Sequence, residues 1–425
     1  MSTDKNKLIP ELRFPEFENN GCWKIKKIEN YFEVGSSKRV LQKDWTNKGV
    51  PFYRTRELVS LSKNEAFGSE IYISNKLYSE LKVKYGVPSE GDFLVSGVGT
   101  LGISYQVKAD DKFYFKDGNV IWFKLNGDLL STYFKFCFES EHIQKQIKAQ
   151  TSKSTVGTYT IQNARKTEFW LPPKIQEQEQ QKIASCLSSL DEVIAAQSQK
   201  LATLKDHKKG LMQNLFPTNS ITNDELEITN VPNYRFPEFL EDEGWVEKKL
   251  GDKEVSYFVN EKTSVDKLNV NSYVSTENML PEFSGVSTSS KLPSLGNFTK
   301  FKNGDILISN IRPYLKKVWK ADKIGGASND VLVFRYGSEV LSEFLECIIK
   351  NEAFINYVME GAKGVKMPRG DKDYMQKYIV FIPSKMEQQK IASCLSSLDD
   401  LITAQTEKIA QLKLHKKGLM QGFFP

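Results

Sequence analysis

Basic side chains interleaved with aromatics and amides occur in two separate stretches of the chain, and they are the residues best suited to recognition chemistry. The first stretch holds Lys38, Arg39 and Lys43, then Arg54 and Arg56 after Tyr53, then Thr100, and later Lys153, Thr155 and Tyr159. The second holds Lys262, then Asn310, Arg312, Tyr314 and Lys316, then Lys363, Lys366 and Arg369. Arginine and lysine neutralise phosphates or donate to the guanine edge, and asparagine can pair with adenine. One such charge alone is usually a solvated surface group. The pattern gains weight because both stretches carry it in loops flanked by strand-like runs.

Signatures of catalysis are missing. Residues 97–102, Gly-Val-Gly-Thr-Leu-Gly, have the spacing of a dinucleotide loop. A pyrophosphate site needs a helix N-terminus after that loop, whereas residues 103–107 read as a strand. A glycine turn that lets backbone approach a ligand is the better reading. No phosphate-loop lysine motif, nucleophile elbow or nuclease carboxylate cluster is present. Leu171-Pro172-Pro173-Lys174 lacks the polar residue with which an amino-methyltransferase motif holds its target amine.

His142, His207 and His415 show no metal-ligand spacing, so no metal site is expected. The five cysteines form no C-x-x-C pair, which points to reduced thiols. A net charge of +6 over 425 residues is compatible with a polyanionic partner. The polar first residues lack a signal core, and no apolar run approaches the roughly 20 residues of a membrane span. A soluble, cytoplasmic protein without membrane contact is expected.

What must position these residues is an internal repeat. Residues 180–217 and 388–425 are identical at roughly three quarters of their positions, far beyond shared composition. A shorter echo opens each half: Arg13-Phe14-Pro15-Glu16-Phe17 returns as Arg235-Phe236-Pro237-Glu238-Phe239, followed by Trp23 and Trp245. Between the echoes only faint landmarks recur, such as Gly91-Asp92 and Gly304-Asp305. Two near-identical scaffolds that carry two different modules suggest that two different things are read.

The repeated segments are long helices. Ile183, Leu187, Leu190, Ile194, Gln197, Leu201 and Leu204 follow a four-three spacing, as do Ile391, Leu395, Leu398, Ile402, Gln405, Ile409 and Leu412. Such a seam is the mark of a coiled coil. Gln197 and Gln405 share one seam slot, Lys208 and Lys416 another. Ser384 with Glu387 reads as a capping box. The modules read as mixed, with strands near 113–115, 120–124, 305–308 and 331–334, and helices over 129–150 and 340–360. The expected organisation is a first module (1–175), a first helix (176–217), a linker (218–233), a second module (234–383) and a second helix (384–425).

This arrangement resembles the specificity subunits of type I restriction–modification systems. The resemblance rests on the Arg-Phe-Pro openings, on Gly91-Asp92 and Gly304-Asp305, on Gly99-Thr100-Leu101-Gly102, and most of all on residues 179–191 and 387–399 around Gln-Gln-Lys-Ile-Ala-Ser. It implies an α+β fold: two mixed α/β target-recognition domains separated by two long helices, paired as an antiparallel coiled coil. It implies that each domain reads one half of a bipartite, gapped site in double-stranded DNA. It further implies two modification subunits that methylate adenine with S-adenosylmethionine, and two restriction subunits that use ATP and Mg. The specificity subunit would itself bind no cofactor and catalyse nothing. With antiparallel helices, Gln197 and Gln405 are expected to hydrogen-bond near mid-helix. The rival readings are a non-catalytic coiled-coil assembly adaptor, and a self-sufficient nuclease or methyltransferase that would be active as the purified chain alone.

Overall fold

The computed structural model of the chain describes residues 8–63, 65, 71–151, 157–173, 177–217, 219–222, 225–228, 230–364 and 366–424. The apolar strand-like runs form the expected strands and extend two of them, to Val120–Leu125 and Val331–Tyr336. The chain divides into two units, residues 1–197 with 408–425, and residues 198–407. The division passes through both repeated helices. Their ends bury apolar side chains in the cores of the modules.

In the first unit, four antiparallel strands lie in the order Phe32–Gly35, Val120–Leu125, Phe93–Ser96, Ser104–Gln106. Phe93 faces Phe123 across the central pair. Phe32, Phe93, Phe123, Phe134 and Phe138 form an edge-on and tilted aromatic core beneath the sheet. The stripe expected as one helix over 129–150 is two helices, Ser131–Glu139 and Glu141–Thr151. Ser140 between them is extended, so the chain turns there.

The second unit repeats this order with Ser256–Phe258, Val331–Tyr336, Ile306–Ser309 and Val318–Lys320. Its helical stripe also breaks, into Ser342–Lys350 and Glu352–Glu360. Asn351 makes the break by capping the second helix through the Ala353 N–H at 2.9 Å. The faint Gly-Asp landmarks start the same central strand in each unit. Gly91 and Gly304 take φ of 86° and 87°, which a side chain would strain. Asp92 accepts from the Trp122 indole at 2.9 Å, while Asp305 takes a bidentate contact from Arg335 at 2.8 Å.

The repeated helices are Glu177–Asn214 and Lys385–Phe423. In the first unit, Ile183 and Leu187 near one helix start share a core with Phe423 and Phe424 at the end of the other helix. Lys416 there meets Asp191 at 2.6 Å. In the second unit, Leu215 and Phe216 share a core with Ile391 and Leu395, and Lys208 meets Asp399 at 2.6 Å. Starts pack with ends in both units, so the helices run antiparallel. Every seam position from Ile183 to Leu204 and from Ile391 to Leu412 is buried or half-buried. Neighbours such as Val193 and Leu401 are exposed. Gln197 falls in the first unit and Gln405 in the second.

The two echoes turn out to be one device. Arg13 donates Nε and Nη2 to the Glu179 carboxylate at 2.8 and 2.9 Å, and Arg235 does the same to Glu387 at 2.9 and 2.8 Å. Both glutamates are buried. The Arg-Phe-Pro opening of each module thus grips the start of the helix that follows it. This revises the capping box at Ser384. Its hydroxyl accepts from the Glu387 N–H at 3.3 Å, but the Glu387 carboxylate goes to Arg235 instead of reaching back. The segment expected as a linker carries a short antiparallel hairpin, Asn219–Thr222 with Glu225–Ile228.

Candidate nucleic-acid interface

Some of the candidate residues lie on topologically equivalent loops of the two units, Thr100 and Tyr159 in the first and Asn310, Arg312, Tyr314, Lys316, Lys363, Lys366 and Arg369 in the second. Residues 97–102 join Phe93–Ser96 to Ser104–Gln106, and residues 310–317 join Ile306–Ser309 to Val318–Lys320. A second loop closes on each. In the first unit Val98 bridges to Thr158, and the Tyr159 N–H donates to the Gly97 carbonyl at 2.9 Å. A Cβ on Gly97 would stand 2.8 Å from the Tyr159 carbonyl, so this approach requires glycine. In the second unit Ile311 bridges to Arg369, and the Gly370 N–H donates to the Asn310 carbonyl at 3.1 Å.

In the first unit Thr100 is exposed at the tip of the glycine loop. That loop leads into a strand, not a helix, as its sequence suggested. Lys38, Arg39 and Lys43 are exposed beyond the edge strand. Arg39 pairs with Asp117 at 2.8 Å. Arg54 and Arg56 both turn to the buried Glu57, at 2.5 and 2.7 Å. Burial acts to raise the Glu57 carboxyl, but the arginines outweigh it and hold the group below the usual carboxylate range. Arg54 is therefore chiefly an anchor, while Arg56 stays largely exposed. Lys153 and Thr155 lie outside the described residues.

Tyr159 needs correction. It is 1% exposed and its hydroxyl lies 2.7 Å from the Thr167 hydroxyl. Burial pushes its phenol well above the usual range. It is a core residue that supports the loop, not one that touches a ligand. Sequence reasoning also missed a neighbour of Lys38. The Lys38 and Lys84 ammonium groups lie 5.5 and 5.4 Å from the ring centre of Tyr85. Lys84 and Tyr85 end the helix Asn75–Tyr85, distant in sequence from Lys38, and no repeat marks them.

In the second unit Lys262 lies on an outer strand, with its ammonium on the Thr299 hydroxyl at 3.2 Å. Arg312, Tyr314, Lys363, Lys366 and Arg369 are exposed on the paired loops. Lys316 is tied to Glu352 at 3.0 Å, Lys363 to Asp371 at 2.6 Å, and Arg369 to Asp330 at 3.1 Å. The Asn310 amide oxygen is buried without a hydrogen-bond partner. Among the described residues no group of three His, Cys, Asp or Glu side chains is placed to hold a metal ion. Among the same residues no helix is long and apolar enough to cross a membrane.

Two copies of one α+β module, each with a pair of loops closing on each other beside its sheet and each holding the start of a repeated helix, define a duplicated, two-part protein. The model of the type I restriction modification DNA specificity domain matches residues 20–206 and again 242–414. The chain belongs to this family. A protein of Methanocaldococcus jannaschii named as the MjaX specificity subunit is 22% identical over 94% of this chain and 92% of its own length. A Haemophilus influenzae protein named as a type I restriction enzyme specificity subunit is 29% identical over 171 residues. That match spans 40% of each protein. The crystal structure of the S subunit from M. genitalium shares the fold, with a TM-score of 0.58 at 16% identity over 98% of this chain and 99% of that one. A structure from work on assembly of the type I R-M system aligns with a TM-score of 0.55 at 15% identity, over 94% and 97%.

Proposed function

We propose that this chain is the non-catalytic, DNA-reading subunit of a type I restriction–modification complex, in which each unit reads one half of a bipartite, gapped site in double-stranded DNA. The observation that carries this reading is a contrast within the chain. Several exposed helix residues recur in both copies, among them Gln181 and Gln389, Ser185 and Ser393, Ala196 and Ala404, and His207 and His415, while others, such as Val193 and Leu401 or Asp206 and Leu414, differ. The loops above the sheets differ, a glycine turn in one unit and Asn310-Ile311-Arg312-Pro313 in the other. Exposed identity that no core requires supports one kind of partner docking twice. Divergent loops support two different half-sites.

The partners are two modification subunits, which carry S-adenosylmethionine and methylate adenine, and two restriction subunits, which use ATP and Mg. The complex acts in the cytoplasm. Basic loop residues neutralise phosphates and set register, while a few side chains read base edges. The decisive experiment is single-molecule sequencing of DNA from cells that express this chain with its cognate modification subunit. Methyladenine in a two-part motif with a constant gap, present only with both proteins, is expected. No motif from a folded, assembled pair would favour the adaptor reading instead.

A further inference from the structure

Glycines apart, the left-handed backbone conformations of the described residues are Glu282, Phe283, Arg312 and Lys316, with φ between 51° and 58°. All four stand together. The Glu282 N–H donates to the Leu315 carbonyl at 3.0 Å, and the Phe283 N–H to the Lys316 carbonyl at 2.9 Å. Two strained turns are thus tied back to back. A Cβ in this conformation crowds the backbone, so such residues persist only where their surroundings over-determine them.

The surroundings of Arg312 do so. Its N–H donates to the Pro368 carbonyl at 2.8 Å, its carbonyl accepts from Leu315 at 2.9 Å, and Pro313 next to it is buried. Its guanidinium, by contrast, is exposed and makes no ion pair or side-chain hydrogen bond among the described residues. Neighbouring cations differ. Lys316, Lys363 and Arg369 face carboxylates, and the Lys317 ammonium holds the Thr276 carbonyl at 2.6 Å. Lys366 also lacks an ion pair, but its backbone is not among the strained ones. A guanidinium is a rigid fork of donors that matches the O6 and N7 acceptors of guanine in the major groove. Because the backbone beneath it is already held, contact would cost only the rotamer freedom of the side chain itself.

We infer that Arg312 is the specificity-determining residue of the second unit, reading one guanine by a two-pronged contact in the major groove. The strained double turn aims it. This inference rests on the DNA-reading function proposed above.

The test uses the complex of the chain with its modification subunit, first with the methylation motif mapped for the unaltered protein. Absence of a two-part motif at that stage defeats the DNA-reading proposal itself. With a motif in hand, binding is measured on the motif duplex, on a scrambled duplex, and on motif duplexes carrying 7-deazaguanine at each guanine in turn. One position in one half-site is expected to lose about tenfold or more when N7 is removed. Arg312→Ala is expected to lose a similar factor on the intact motif, little on the scrambled duplex, and nothing further at that 7-deazaguanine. Arg312→Lys keeps the charge and should not restore the reading. Thermal melting confirms that both variants fold. The inference is overturned if neither half-site has a guanine sensitive to Arg312. It is equally overturned if Arg312→Ala weakens motif and scrambled duplexes alike.

Discussion

Arg13 and Arg235 each bury a guanidinium, 5% exposed, against a glutamate that is almost wholly enclosed. Removing one member of such a pair strands the other charge in a poorly solvated place. Arg235→Ala is therefore expected to cost about 3–5 kcal/mol in urea denaturation. The double change Arg235→Met with Glu387→Leu should recover much of that loss, because both charges leave together. A cost below about 1 kcal/mol for the single change would mean that water reaches Glu387. Glu282 offers the opposite sign. It is exposed and left-handed, so Glu282→Gly should raise stability by about 0.5–1 kcal/mol. A lower melting temperature for that variant would show that the 3.7 Å ion pair of Glu282 with Lys316 matters more than its backbone.

At the level of elements, the repeated helices separate buried from exposed apolar positions sharply. Leu187 and Leu395 are 0% and 2% exposed, while Val193 and Leu401, nearly two turns further on, are 44% and 54% exposed. Leu187→Ala and Leu395→Ala are each expected to cost about 2–5 kcal/mol through lost burial and a residual cavity. Val193→Ser and Leu401→Ser should stay within about 0.5 kcal/mol in the free chain. Comparable losses from both sets in denaturation of the isolated protein would contradict the narrow seam. Helix length carries its own consequence for the proposed function. One added heptad in Glu177–Asn214 lengthens that helix by about 10 Å and should change the gap in the methylated motif. A motif with the same gap after the insertion would remove the helix as its ruler.

At the scale of the molecule, each unit is completed by chain from the other half of the sequence. The last helix returns to the first unit, where Phe423 stacks on Phe14 at 5.4 Å and Phe424 meets Trp23 and Tyr133. The Leu12 N–H donates to the Gly422 carbonyl at 2.8 Å. Phe216 plays the matching part in the second unit against Trp245 and Phe344. Truncation after Gln421 should thus loosen the first unit and spare the second. Hydrogen exchange should show lost amide protection around Trp23 and Tyr133 with the sheet of the second unit unchanged. Uniform loosening of both units would argue for a single cooperative body.

Much of this architecture was legible in the sequence because it is periodic or repeated. The seam from Ile183 to Leu204 declares its helix, since only a 3.6-residue period brings those side chains to one face. The copy at 388–425 shows that the plan is used twice, and Gly91-Asp92 with Gly304-Asp305 marks the same central strand in both modules. What the repeats are for locally was not legible. That Arg13 grips Glu179 depends on a contact 166 residues long in sequence, which no local pattern encodes. The same holds for Tyr159, which in sequence sits among basic and polar loop residues and in space sits in the core. It holds too for the orphaned oxygen of Asn310 and for the four left-handed residues around Arg312. Periodicity is a property of neighbours along the chain, so sequence alone determined the helices, the duplication and the recognition class. Burial and strain are properties of neighbours in space, so only the tertiary structure decided which of the basic loop residues are anchored and which are presented.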